Sequence, residues 1–167
     1  LFRFGVEMAM KGEYSTLEFV GKGPFENYID RCSAALYGHY VQRVEDQYHW
    51  GYVRPQESGT HTGIKWMHVV DESGTGLGFT SDVRFSASAL PVSRRDMDLS
   101  IGKYRHSLEM KSLAHENERE KGKTCLNIDL CQMGVGGITS WGAWPMDQHL
   151  MPAGDYTFNL TIAPVKK

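Results

Sequence analysis

Leu1-Phe2-Arg3-Phe4-Gly5-Val6-Glu7-Met8-Ala9-Met10 decides the fold class, because Phe2, Phe4, Val6, Met8 and Met10 occupy every second position without a break. Successive side chains of a strand point to opposite faces, so this spacing predicts a half-buried β-strand rather than a helix. The same period returns at Thr62, Ile64, Trp66, His68 and Val70. It returns again at Thr124, Leu126, Ile128 and Leu130, with Cys125, Asn127 and Asp129 on the other face. Tyr156, Phe158, Leu160 and Ile162 predict a last strand, entered through the turn Pro152-Ala153-Gly154-Asp155. Weaker strands are expected at 14–20, 76–80 and 83–88. Asp71-Glu72-Ser73-Gly74 has turn chemistry and predicts a hairpin between 62–70 and 76–88. Helix signals are few. Ser93 and Asp96 resemble a capping box for a short helix near 94–100, and 28–36 reads as another turn or two. The sum is an all-β chain, a long antiparallel meander with one solvated face, forming part of a sandwich.

Composition narrows the function classes. The chain has 167 residues, 18 Gly, 3 Cys and a formal net charge of −2. That length suits a single domain over 1–167, and is short of the roughly 250 residues of a (β/α)₈ barrel. No repeat, low-complexity tract or domain boundary interrupts it. Residues 109–123, the most charged stretch, read as an exposed loop or hairpin tip. Near-neutral charge argues against a nucleic-acid partner, and no apolar run approaches the roughly 20 residues of a membrane span. The opening residues lack a basic segment followed by an apolar block, so they do not read as a signal peptide. A chain beginning at Leu1 reads as a piece of something longer.

The cysteines, Cys32, Cys125 and Cys131, are odd in number and lack CxxC spacing. Cys125 and Cys131 on one strand would stand about 20 Å apart, too far to bridge. Buried free thiols in a reducing compartment, the cytoplasm above the periplasm or exterior, are the reading. The histidines lack metal-ligand spacing. Gly21-Lys22-Gly23-Pro24 and Gly134-Val135-Gly136-Gly137 both fail the dinucleotide and P-loop patterns, and no GxSxG elbow occurs. Asn159-Leu160-Thr161 fits a glycosylation acceptor but falls in a predicted strand.

Two segments call for explanation. Gly21-Lys22-Gly23-Pro24-Phe25-Glu26-Asn27-Tyr28-Ile29-Asp30-Arg31 places acids, aromatics and a base after a Gly-Pro turn, a composition suited first to a well-tied structural loop. Gln132-Met133-Gly134-Val135-Gly136-Gly137-Ile138-Thr139-Ser140-Trp141-Gly142-Ala143-Trp144-Pro145 carries two tryptophans on a glycine-shaped loop. A tryptophan so placed can offer a flat apolar face to the C–H face of a sugar ring. The plainer alternative is that both cap the core. Trp144 reads first as such a cap, whereas composition leaves Trp141 open between the two.

Together with Tyr52-Val53-Arg54-Pro55-Gln56-Glu57-Ser58-Gly59, Leu126-Asn127-Ile128-Asp129 and Ser140-Trp141-Gly142, these segments resemble, in order and spacing, the C-terminal small domain of glycoside hydrolase family 2 β-galactosidases. Arg3-Phe4-Gly5 and His106 also fit, so the resemblance spans nearly the whole chain while covering only the later part of that domain. The resemblance implies an antiparallel supersandwich of the galactose mutarotase-like kind. It implies an accessory role in hydrolysis of terminal β-D-galactosyl residues, with both catalytic glutamates on a separate barrel and configuration retained. No catalytic residue is then expected in this chain, and no cofactor. Family members often hold Mg²⁺ and a monovalent cation in the barrel. The expected partners are a galactoside, the barrel of the same parent polypeptide and further copies of that parent.

By motif the substrate-binding residue is Trp141, a stacking platform. Ser140, Trp144, His149, Glu26, Asp30, Arg31, Arg54 and Glu57 are expected to support loops or touch the sugar, and Gln56 matches the same framework. Ile138 and Thr139 stand where many relatives carry acidic or amide residues, so any polar contact made there does not carry over. Rival readings are an autonomous carbohydrate-binding module using Trp141, Trp144 and His149, a mutarotase-like enzyme, and a purely structural module with Trp141 buried.

Overall fold

The computed structural model describes residues 1–49, 52, 57–94, 97, 122–139 and 141–166. Within them the chain forms seven strands: β1 (Arg3–Lys11), β2 (Thr16–Gly23), β3 (Leu36–Arg43), β4 (His61–Val70), β5 (Thr75–Leu90), β6 (Lys123–Gln132) and β7 (Leu160–Lys166). Two single-turn 3-10 helices, Val44–Asp46 and Asp147–His149, complete the described elements. Every strand pairing is antiparallel. The fold is all-β, and its single sheet is of the kind that makes one layer of a β-sandwich.

The sheet order is β1-β6-β5-β4-β2-β3, with β7 added on β5, so the expected meander is replaced by crossovers. Long β5 organises this. One edge of it pairs with β4, while β7 (opposite 75–81) and then β6 (opposite 86–90) follow along the other. The sequence divides this strand at 81–82 for a physical reason. Ile64 faces Phe85 and Trp66 faces Thr80, so Ser81–Arg84 bulge out opposite Lys65. The bulge bends the strand without ending it.

The hairpin at 71–74 forms as expected. The Asp71 carboxylate accepts the N–H groups of Ser73 (2.8 Å) and Thr75 (3.0 Å), an Asx-type closure. The other departures are local. Strand β3 carries no alternation and was not expected. The turns expected over 28–36 resolve into a Tyr28–Arg31 bridge and a Cys32–Ala35 turn. The last strand starts at Leu160 rather than Tyr156. The helix expected near 94–100 and the loop at 109–123 lie largely outside the described residues, although Met97 N–H does donate to the Ser93 carbonyl.

The core gathers Leu17 and Phe19 of β2, Ile64, Met67 and Val69 of β4, Phe79, Phe85, Ala87 and Ala89 of β5, and Leu126 and Ile128 of β6. Apart from the two alanines, each such side chain contributes about 1.5–3 kcal/mol by leaving water. Strand β6 is buried on both faces: Cys125, Asn127 and Asp129 are as covered as Leu126. Leu90, opposite Cys125, begins a second cluster with Tyr48, Val92 and Met97.

Strand β1 forms where expected, but its apolar face meets the core only at its end, where Met10 joins the core cluster and Met8 packs against it. Phe2, Phe4 and Val6 are 67%, 36% and 42% exposed, and only Met10 is buried. Phe2 leans on Trp144 and Phe4 on Tyr156, with ring centroids 6.1 and 5.6 Å apart. Among the described residues strands β1 and β3 end the sheet, and β3 also exposes Leu36, Tyr37 and Val41. Unpaired edges beside exposed apolar residues template association. The isolated chain is therefore expected to dimerise or aggregate. Light scattering over a concentration series checks this, and a monomer mass independent of concentration refutes it.

Candidate functional site

Trp141 sits on a loop that the chain ties down at several points. Beyond β6, Met133 N–H donates to the Phe2 carbonyl and Gly134 N–H to the His149 carbonyl, both at 2.8 Å. Gly136 N–H donates to Asp30 Oδ2 at 2.7 Å. The glycines are required by this clamp. A Cβ at Gly134 would stand 2.6 Å from Asp30 Oδ2, and one at Gly137 would stand 2.3 Å from the Ala143 carbonyl oxygen. Trp141 N–H donates to Thr139 Oγ1 at 3.3 Å, and Gly142 follows at φ +83°. The result holds the loop backbone while leaving the indole 94% exposed.

That exposure excludes burial of Trp141 within the described residues. Trp144 is no core cap here either, being 62% exposed against Phe2. His149 closes the 3-10 turn. Its carbonyl serves the loop, and its Nδ1 is buried without a hydrogen-bond partner among the described residues. Ile138, Trp141 and Trp144 of this loop are each exposed, as are Val135 and Met146 on either side in sequence. Ser140, Arg54 and Gln56 lie outside the described residues.

Glu26 and Arg31 make a second tie. Arg31 Nη2 donates to Glu26 Oε1 (2.5 Å) and to the Tyr52 hydroxyl (2.7 Å). The Tyr52 hydroxyl also donates to Glu26 Oε1, and Gly59 N–H donates to Glu26 Oε2 at 2.6 Å. The Arg31 guanidinium lies over the Tyr28 and Tyr52 rings, 5.2 and 5.8 Å from their centroids. Burial alone would raise the Glu26 carboxyl. The bonds from Tyr52, Gly59 and Arg31 outweigh it and hold the carboxyl below its ordinary value. Next to it, Asn27 donates to the Lys22 and Phe25 carbonyls and accepts from Thr62, joining the loop to β2 and β4. Glu57 reaches Arg3 Nη2 at 2.5 Å, while Arg3 Nη1 reaches Asp129 Oδ2 at 3.1 Å.

Sequence reading missed Tyr52 as the link between Glu26 and Arg31, and missed Arg3 as the bridge between Glu57 and Asp129. Partners 126 residues apart leave no local signal. It also missed His61, whose ring nitrogens face the Lys22 carbonyl (3.2 Å) and Gln47 Oε1 (2.8 Å).

His61 and Asp129 give opposite pH dependence. Burial pushes His61 down to about 4 from an ordinary 6.5, with the Lys22 carbonyl opposing. The unfolded ring takes its proton first, so stability falls as pH drops from 6.5 through 4. Burial pushes Asp129 up to about 6 from 3.8 against the Arg3 charge. The folded carboxyl then keeps its proton longer, and stability falls as pH rises through about 6. Relative to the parent, His61→Gln is expected to gain stability on acidification from pH 6.5 to 4. Urea midpoints across that range check it, and parallel profiles for parent and variant refute it.

Among the described residues no three His, Cys, Asp or Glu side chains are placed to hold a metal ion. The glycosylation reading at Asn159 loses weight for a further reason: its Nδ2 donates to Asp82 at 2.9 Å.

A family model described as "Beta galactosidase small chain" matches residues 1–162. A β-galactosidase of Streptococcus thermophilus is 34% identical over 97% of this chain, which covers 15% of that protein. One of Photobacterium profundum is 30% identical over 97% of this chain and 14% of its own length. One of Bifidobacterium adolescentis is 34% identical over 95% of this chain and 14% of its own length. The chain thus spans 14–15% of the length of these relatives.

Proposed function

The chain belongs to the β-galactosidase small-chain family, and on that premise we propose that it is the accessory C-terminal domain of a β-galactosidase, lending Trp141 to the galactoside site. The observation that carries the reading is an indole exposed at 94% on a loop clamped from beneath by Asp30. A flat, solvent-facing ring on a held backbone is pre-organised to receive the apolar face of a sugar, with little ordering cost on binding.

In this reading the hydrolytic step belongs to the remainder of the parent polypeptide, where two carboxylates act as acid/base and nucleophile. The small domain closes the sugar pocket by stacking. Asp30 is a positioning residue, acting on Trp141 through Gly136. Glu26, Arg31 and Tyr52 fix the loop that carries Asp30. Phe2, Phe4 and Trp144 offer the apolar face on which the catalytic barrel is expected to rest, since exposed aromatic clusters mark interfaces. The test is kinetic. Trp141→Ala in the full-length polypeptide must lower kcat/KM and leave the melting temperature unchanged. Unchanged kinetics would remove Trp141 from the sugar.

A further inference from the structure

We propose that Lys22 and Cys32 are joined, on oxidation, by a covalent Nζ–O–Sγ bridge that staples β2 to the loop carrying Asp30. Lys22 Nζ donates to Cys32 Sγ at 3.1 Å, so the two atoms are one bridging oxygen apart without movement of the backbone. Both side chains line a cleft of about 250 Å³, together with Thr62, Ser86 and Cys131, and both are partly exposed there. A small oxidant reaches them directly.

The surroundings hold the couple in place. The Lys22 carbonyl accepts from Asn27 Nδ2 (2.9 Å) and faces His61 Nδ1, while the Cys32 carbonyl accepts from Ala35 N–H (3.1 Å). Among the described residues no carboxylate lies in ion-pair range of Lys22, so the sulfur is its nearest polar partner. The other thiol of the cleft competes poorly. Burial, with the Asp129 charge, pushes Cys131 up and keeps it protonated.

Dioxygen is the oxidant. Lysine amine, cysteine thiol and one O₂ give the bridge and one water. One N–H and the S–H bond break, and N–O and O–S bonds form. Nitrogen and sulfur each give up two electrons. One oxygen atom stays in the bridge, and the other leaves as water with the two hydrogens. Four thiol equivalents reverse the step, returning amine, thiol and a second water. Asp30, two residues before Cys32, is then held both by the staple and by Gly136 N–H. That consequence rests on the role proposed for Trp141, whereas the bridge itself does not.

The experiment is peptide mapping of the full-length polypeptide after exposure to air-saturated buffer or to excess dithiothreitol. Trypsin should leave Lys22 uncut and yield residues 12–31 joined to 32–43. The joined species should be heavier than its two peptides by one oxygen less two hydrogens. It should vanish with dithiothreitol, in Cys32→Ser and in Lys22→Arg, and persist in Cys131→Ser. Lys22→Arg keeps charge and thiol, so it carries the test should Cys32→Ser fail to fold. Four results overturn the proposal: cleavage at Lys22 with Cys32 still alkylatable, a Cys32–Cys131 disulfide, a link lacking the oxygen, or Cys32 oxidised alone to the sulfinic or sulfonic acid. A map that shows the bridge while Trp141→Ala leaves kcat/KM unchanged keeps the staple and refutes only the platform.

Discussion

Trp141→Ala in the full-length polypeptide is expected to lower kcat/KM for a β-galactoside by about a hundredfold or more, about 2.7 kcal/mol of transition-state stabilisation. Surface area gives the same size. A tryptophan buries about 150–250 Å² in full, so one face covered by a sugar removes roughly 100 Å² from water. At about 25 cal/mol per Å² that is about 2.5 kcal/mol. The melting temperature should not move, because an indole exposed at 94% supports no core among the described residues. Trp141→Phe should recover part of the loss by keeping a flat ring. A simultaneous loss of activity and melting temperature would mean that Trp141 packs against the rest of the parent polypeptide, and the stacking reading would fall.

Phe19→Ala should do the reverse, destabilising the sheet by about 3–5 kcal/mol. Phe19 is 0% exposed in β2, opposite Tyr40 of β3 and Met67 of β4. Its ring lies 5.4 Å from that of Tyr40 and 4.4 Å from that of His61. A methyl group cannot fill that space, and β2 is held on both edges by β4 and β3, so the cavity would remain. Against a typical stability of about 5–15 kcal/mol this is a large fraction. Amide exchange in β2 of the full-length polypeptide measures it locally, with protection expected to fall by about two to four powers of ten. Unchanged protection would show that Phe19 is not a keystone. The two variants separate the platform, which acts without stability, from the scaffold, which acts without touching the sugar loop.

The elements that could be read from the chain are those whose cause is local. Alternation at 2–10, 62–70 and 124–130 became β1, β4 and β6, because a strand with one covered face writes its period into the residues. The Asp71–Gly74 turn formed for the same kind of reason, a carboxylate reaching N–H groups two and four residues on. Strand β3 could not be read, since Tyr37, Tyr40 and Val41 alternate with nothing regular and, among the described residues, it pairs only with β2. The bulge of β5 was legible as a break, but its continuation was not: the pairings with β6 and β7 that carry the strand through come from distant segments. In the site, the glycines and Trp141 announced a shaped loop. The partner of that loop, Asp30, lies 106 residues from Gly136 and left no trace in the spacing.

The amino-acid order alone determined the all-β class, most strand positions, one hairpin and the family, because each depends on side-chain period, turn chemistry or a run of matched residues. Tertiary structure alone decided which faces are covered. It covered both faces of β6, and along one face of β1 it took Met10 into the core while leaving Phe4 and Val6 exposed. It also brought Glu26 to Tyr52 and Gly59, Arg3 to Asp129, and Lys22 to Cys32. Periodicity says that a residue has an inside and an outside. Only the packing of remote segments says what, if anything, lies on each.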